Sequence, residues 1–172
     1  MRYALTYGSL AGLVILAIFM PALILLDQHS MAVGYAIMLV GLTLVFVGMK
    51  RFRDVEKGGV IKFMPAFLLG LGISLVATII YVIGWDIYLR ATDFRMLDDY
   101  FADEVRAYQA SGMSGAELAS ATADMEGMRA QIHTNSLFRM AMIALEILPV
   151  GLIVSLISAA LLRNASFMRA KA

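Results

Sequence analysis

The chain has no cysteine, which excludes disulfides, thiolate metal ligands, cysteine nucleophiles and lipoprotein-type acylation together, and leaves the redox compartment unread. Histidine is nearly as scarce. His29 and His133 are the two present, with neither the i, i+4 spacing nor the glutamate of a zinc-binding HExxH helix, so no metal site is expected. Charged residues occupy 16% of the 172 positions, against about 25% in soluble domains. No GxSxG serine motif occurs, and Gly58-Gly59 lacks the Lys-Ser/Thr of a P-loop and reads as a turn. Nothing supports nucleic-acid binding, a cofactor or an enzymatic constellation.

What the chain has instead is apolar length. It is 61% hydrophobic with a mean hydropathy of +0.81. Four runs, about residues 5–26, 31–49, 63–85 and 140–162, approach or exceed the ~20 residues that carry a helix across ~30 Å of hydrocarbon. The expected fold is all-α and polytopic, with four transmembrane helices in a compact bundle forming a single domain over residues 1–172. Arg2 gives the first run a signal-like start, but the run exceeds the usual apolar core of a signal peptide and only Ser30-Met31-Ala32 resembles a cleavage site. It is retained as a membrane helix. No sorting or lipidation signal is found.

The net charge of +1 hides an asymmetry. Arg2, Lys50, Arg51, Arg53, Lys57, Lys62, Arg163, Arg169 and Lys171 lie at the chain ends and in the second loop, opposed by Asp54 and Glu56. The first and third loops, with Asp86 at their edge, hold ten carboxylates against five arginines, Arg90, Arg95, Arg106, Arg129 and Arg139. Because basic loops stay cytoplasmic, both termini are placed inside. The first loop, around Asp27 to Ser30, and the long third loop are placed outside. Tyr81, Trp85 and Tyr88 suit the outer interface belt.

Small residues recur on each span: Gly8 and Gly12; Gly34, Gly41 and Gly48; Gly70, Ala77 and Gly84; Gly151, Ser155 and Ala159. Such stripes allow close backbone approach, within the chain or between copies. The third loop reads as an amphipathic helical hairpin over about residues 91–136. Phe94, Leu97, Phe101, Val105 and Tyr108 form one apolar face, and Leu118, Ala121, Met125, Met128 and Ile132 another. Gly112 is placed to end the first helix, and Ser114 with Glu117 forms a capping box for the second. These faces either pack together, lie on the membrane or dock a partner.

Glu146 stands apart. It lies six to eight residues inside the fourth apolar run, roughly 10 Å below its boundary at ~1.5 Å per residue, where a charge costs about 2.5 to 3.5 kcal/mol. Met142, Ile143, Pro149 and Val150, its neighbours one turn away, offer no base. Two readings follow. Asp86 approaches Glu146 from the third span, and the two carboxylates share a proton or bind a cation, with Tyr81, Trp85, Arg90 and Arg139 as neighbours. Alternatively, Asp86 pairs with Arg90 at i+4, and Glu146 bonds Trp85, Tyr81 or a carbonyl freed by Pro149. In the second loop, Lys50, Arg51, Arg53 and Lys57 either reflect topology alone or contact anionic lipid head groups.

Gly48-Met49-Lys50-Arg51-Phe52-Arg53-Asp54 with Gly58-Gly59, Tyr81-Val82-Ile83-Gly84-Trp85-Asp86, and the stretch from Leu145-Glu146-Ile147-Leu148-Pro149-Val150-Gly151 to Ser158 together resemble the bacterial domain-of-unknown-function 4199 family. That family commonly has glutamate where this chain has Asp86, and Asn-Pro where it has Asn135-Ser136. The resemblance implies a small four-helix protein of the bacterial inner membrane and supplies no catalytic residue. The expected role is a non-enzymatic membrane subunit or scaffold, self-associating or joined to a larger complex. The alternative is an oligomeric proton- or cation-coupled transporter using Glu146 and Asp86, and a lipid-directed enzyme is a distant third.

Overall fold

The computed structural model describes residues 1–26 and 31–168. The first loop, with Asp27, His29 and Ser30, and the terminal Arg169 and Lys171 lie outside the described residues. Within them the elements are α1 (Arg2–Leu26), α2 (Met31–Glu56), α3 (Phe63–Ala91), α4 (Arg95–Ala110), α5 (Gly115–Thr134) and α6 (Ser136–Leu162), with no strand. The all-α expectation holds, and α1, α2, α3 and α6 are long and apolar enough to cross a membrane. Three of them outrun their apolar cores: α2 continues past Met49 to Glu56, α3 past Trp85 to Ala91, and α6 begins at Ser136. Hydropathy marks the hydrocarbon-facing stretch, whereas the backbone ladder runs on through polar residues. In α2 and α3 the i, i+4 pairs Lys50–Asp54 and Asp86–Arg90 brace these extensions.

The chain divides into two compact units, Met1–Val82 with Ala144–Ala172, and Ile83–Ile143. In the first unit, small residues set the packing. Gly41 and Gly48 of α2 meet Ile15 and Tyr7 of α1, an antiparallel pairing, while Gly8 and Gly12 of α1 lie against Val76 and Ile80 of α3. Gly70 faces Met49 of α2 and Ser155 of α6, and Gly151 of α6 faces Ser74 of α3. These glycines are therefore occupied within one chain. Dispersion between closely approaching backbones replaces the hydrophobic effect that lipid cannot supply. Ser74 donates to the Gly151 carbonyl at 3.2 Å and sits 3.1 Å from the Ser155 hydroxyl, so a buried polar contact pins α3 to α6. Ser155 and Thr78 also bond back to carbonyls of their own helices, which leaves the helical backbone intact while hiding the hydroxyls.

In the second unit, α3 ends where Phe94 N–H reaches the Leu89 carbonyl and Asp93 N–H the Arg90 carbonyl, the paired bonds of a Schellman stop. Asp93 and Phe94 adopt positive φ of 49° and 58°, a region few non-glycine residues occupy. Phe94 is thus the N-cap of α4 and no part of its apolar face, which corrects the sequence assignment. Gly112, at φ 77°, follows the last turn of α4. Ser114 and Glu117 form the reciprocal capping box expected at the start of α5. The two apolar faces meet only in part. Phe101 and Ile132 are buried, Met128 is 44% exposed, and an open groove of about 330 Å³ lined by Asp98, Val105, Thr122 and Met125 runs along the hairpin.

A β-carbon on Gly8 would lie 2.5 Å from Val76 Cβ and 2.6 Å from the Ile73 carbonyl oxygen, whereas one on Gly72 meets only Ala4 at 3.5 Å. Gly8→Ala is expected to destabilise the fold by about 1–3 kcal/mol through overpacking against backbone. Gly72→Ala should stay within about 0.5 kcal/mol of wild type. Reversible unfolding in mixed detergent micelles measures both.

Candidate functional site

Asp86 lies near the C-terminal end of α3, where the apolar run gives way to Tyr88 and Arg90, and it is 7% exposed. Both of its oxygens are engaged. Oδ2 accepts from Arg90 Nε at 2.8 Å and Oδ1 from Arg139 Nε at 2.7 Å, with Arg139 Nη2 also 2.5 Å away. Arg139, on the first turn of α6, is 2% exposed and spends its remaining donors on the Ile132 carbonyl and the Ser136 hydroxyl. Ser136 Oγ also accepts from Arg90 at 2.7 Å. Asn135 ends α5, and its side chain accepts from Phe138 N–H to cap α6. One Asn-Ser pair therefore closes one helix, opens the next and supplies a hydroxyl to two guanidinia. Proline at the first position of α6 would cap equally well, but it has no such hydroxyl.

The network extends beyond the residues singled out from sequence. Arg139 lies over the Phe94 ring, 5.0 Å from its centroid, and the His133 ring lies 4.4 Å from the same centroid. His133 Nε2 is 2.9 Å from Asp98 Oδ1, which also accepts from Arg129 Nε at 2.7 Å. The positive-φ backbone at Phe94 sets its ring in contact with both Arg139 and His133, a geometry the sequence pattern could not signal because it rests on φ rather than periodicity. The Arg129 hydrogen bond holds the Asp98 carboxyl below its ordinary range, against the opposing effect of burial.

Glu146 sits in the other unit, on α6 ten residues after its start. The residue is exposed at the protein surface, while its carboxylate is partly buried beside Tyr81. Among the described residues its polar neighbour is the fully buried Tyr81, whose hydroxyl lies 3.5 Å from Oε2, longer than a well-formed O–H···O bond. Trp85 is 7% exposed and packs edge-on against Tyr88 at 5.6 Å. The structure thus brings Asp86 together with Arg90 and Arg139, and Glu146 together with Tyr81.

The second-loop basic residues separate in the same way. Arg53 is fully buried and unavailable to a head group, which corrects its reading as a lipid contact. It donates to Asp54 at 2.7 Å and to the carbonyls of Phe167 and Met168 at 2.9 and 3.0 Å, binding the turn that follows α6. Lys50 pairs with Asp54. Arg51 and Lys57 are exposed, with Lys57 placed 5.6 Å over the Phe52 ring.

Arg139→Met should cost about 3–5 kcal/mol, because it removes the buried one of Asp86's two guanidinium partners and leaves Oδ1 without its charge partner. Arg90→Ala, at a side chain 54% exposed, should cost under about 1 kcal/mol. Unfolding in detergent, read with protease cleavage of the hairpin, distinguishes them. Asp98 adds stability above the ordinary carboxylate pKa of ~3.9 and loses it as pH falls through its own lower value. The melting-temperature gap between wild type and Asp98→Asn should therefore close on acidification below about pH 4.

No curated protein and no solved structure matches the chain. A family model does, over residues 6–164, and the chain accordingly belongs to the family described as protein of unknown function DUF4199.

Proposed function

We propose that the protein is a non-enzymatic subunit or scaffold of the bacterial inner membrane, working through helix packing and through the α4–α5 hairpin held on the outer side. The observation that carries this reading is the saturation of Asp86 by Arg90 and Arg139. A carboxylate with two guanidinium partners is a joint, and a proton carrier needs an oxygen free to exchange. The cytoplasmic placement of both termini is supported by the gathering of Tyr3 with Glu56, and of Arg53 with the turn after α6, in one unit. These contacts bring the basic ends of α1, α2 and α6 together, as the positive-inside rule requires. Exposed Arg51 and Lys57 suit anionic head groups on that side.

A transport reading retains Glu146 alone, favoured by its exposure on a membrane helix. Asp86→Asn should lower folded membrane abundance and produce no change in ion or proton flux. Glu146→Gln should leave abundance near wild type. Proteoliposomes of the wild type should show no proton-coupled flux above protein-free vesicles; a flux that Glu146→Gln abolishes would replace the scaffold by a transporter. Isolation in mild detergent should yield the chain with copies of itself or with neighbouring membrane proteins.

A further inference from the structure

We propose that the face of α6 carrying Glu146 is the contact surface for a second copy of this chain, with the two Glu146 carboxyls meeting at a two-fold axis. This rests on the subunit reading above and names its partner. The face consists of Met142, Glu146, Pro149, Ile153 and Ile157, spaced three or four apart, and all five are exposed. Apolar exposure on a membrane helix is ordinary, because lipid covers it as well as protein does. The carboxyl is not ordinary. In hydrocarbon it must be neutralised or paired, and among the described residues its own chain supplies only the long contact from Tyr81.

Pro149 adds a second demand. It has no N–H, so the Leu145 carbonyl lacks its helical donor, and Leu145 is 63% exposed. The surface therefore presents an acid group and an adjacent carbonyl deprived of its usual bond. A protonated carboxyl is donor and acceptor at once, so two identical surfaces related by a two-fold satisfy each other without any further residue. A cationic partner would answer the same carboxylate. The basic residue of α6, Arg139, is already buried in bonds to Asp86, Ile132 and Ser136, so the pairing proposed across this face is carboxyl to carboxyl.

Coverage points the same way. The apolar window of α6 is 17% buried, against 44% in α2 and α3. Its small residues are turned inward, Gly151 against Ser74 and Ser155 against Gly70, leaving the polar group as the adhesive of the outward face. α1 is the natural control, since its window is also thinly covered at 22% and Leu13 is 55% exposed with no acid beside it.

The absence of native cysteine permits a direct test with the full chain in lipid vesicles. Ile153→Cys should oxidise to a covalent dimer and Leu13→Cys should not. In the Ile153→Cys background, Glu146→Gln should retain the dimer because an amide also donates and accepts. Glu146→Leu should weaken association about tenfold, the equivalent of ~1.4 kcal/mol, and should fold normally because the side chain is exposed. Dimer yield unaffected by Glu146→Leu would overturn the proposal. So would cross-linking through Leu13→Cys in place of Ile153→Cys, while leaving the subunit reading standing. A monomer under all conditions would overturn the proposal too, and isolation with other membrane proteins then decides the subunit reading separately.

Discussion

A buried carboxylate near the end of an apolar helix is costly unless it is paired and hydrogen-bonded, and the second unit is organised around that requirement. Asp86 draws Arg90 from its own helix and Arg139 from the first turn of α6. The two arginines share Ser136. Because Arg139 also takes the Ile132 carbonyl, the end of α5 is fastened to the same point. The hairpin therefore leaves and re-enters the apolar segments through one ionic joint, and its two helices can pack loosely without coming apart at the base.

The joint explains an otherwise costly backbone. Two consecutive non-glycine residues at positive φ, Asp93 and Phe94, store strain of order 1–3 kcal/mol each. The return is a Phe94 ring in contact with both Arg139 and His133, which links the Asp86 ion pairs to the Asp98–Arg129 pair. Arg53 does comparable work in the first unit, where a fully buried guanidinium donates to the Phe167 and Met168 carbonyls after α6. In both places arginine serves as a multidentate staple for chain reversals, a role lysine would fill less well because it lacks the planar fork.

Legibility in the sequence follows the range of the interaction. The four long helices were readable because hydrocarbon thickness acts on every residue of a run, and the Ser114–Glu117 box because its partners are three residues apart. Asp86–Arg90 was within reach for the same reason. Arg53 was not: a basic residue beside a membrane looks the same from sequence whether it meets a phosphate or the carbonyls of Phe167 and Met168. Phe94 fell on the expected apolar face by spacing, yet backbone conformation removed it from the helix. Periodicity cannot register a sign of φ.

Glu146 and Asp86 show how one chemistry divides by context. Both are acids in apolar helices, and sequence alone invites their pairing. Asp86 lies close to polar residues that can reach it, and two arginines have absorbed its charge. Glu146, seven residues beyond Arg139 along α6, or about 10 Å by helical rise, has apolar residues one turn away on its own helix and a tyrosine at the limit of contact. An acid whose charge is answered within its own chain stabilises the fold. An acid left on the surface of an apolar helix adds little to the fold, and in hydrocarbon its cost falls when it is neutralised or paired.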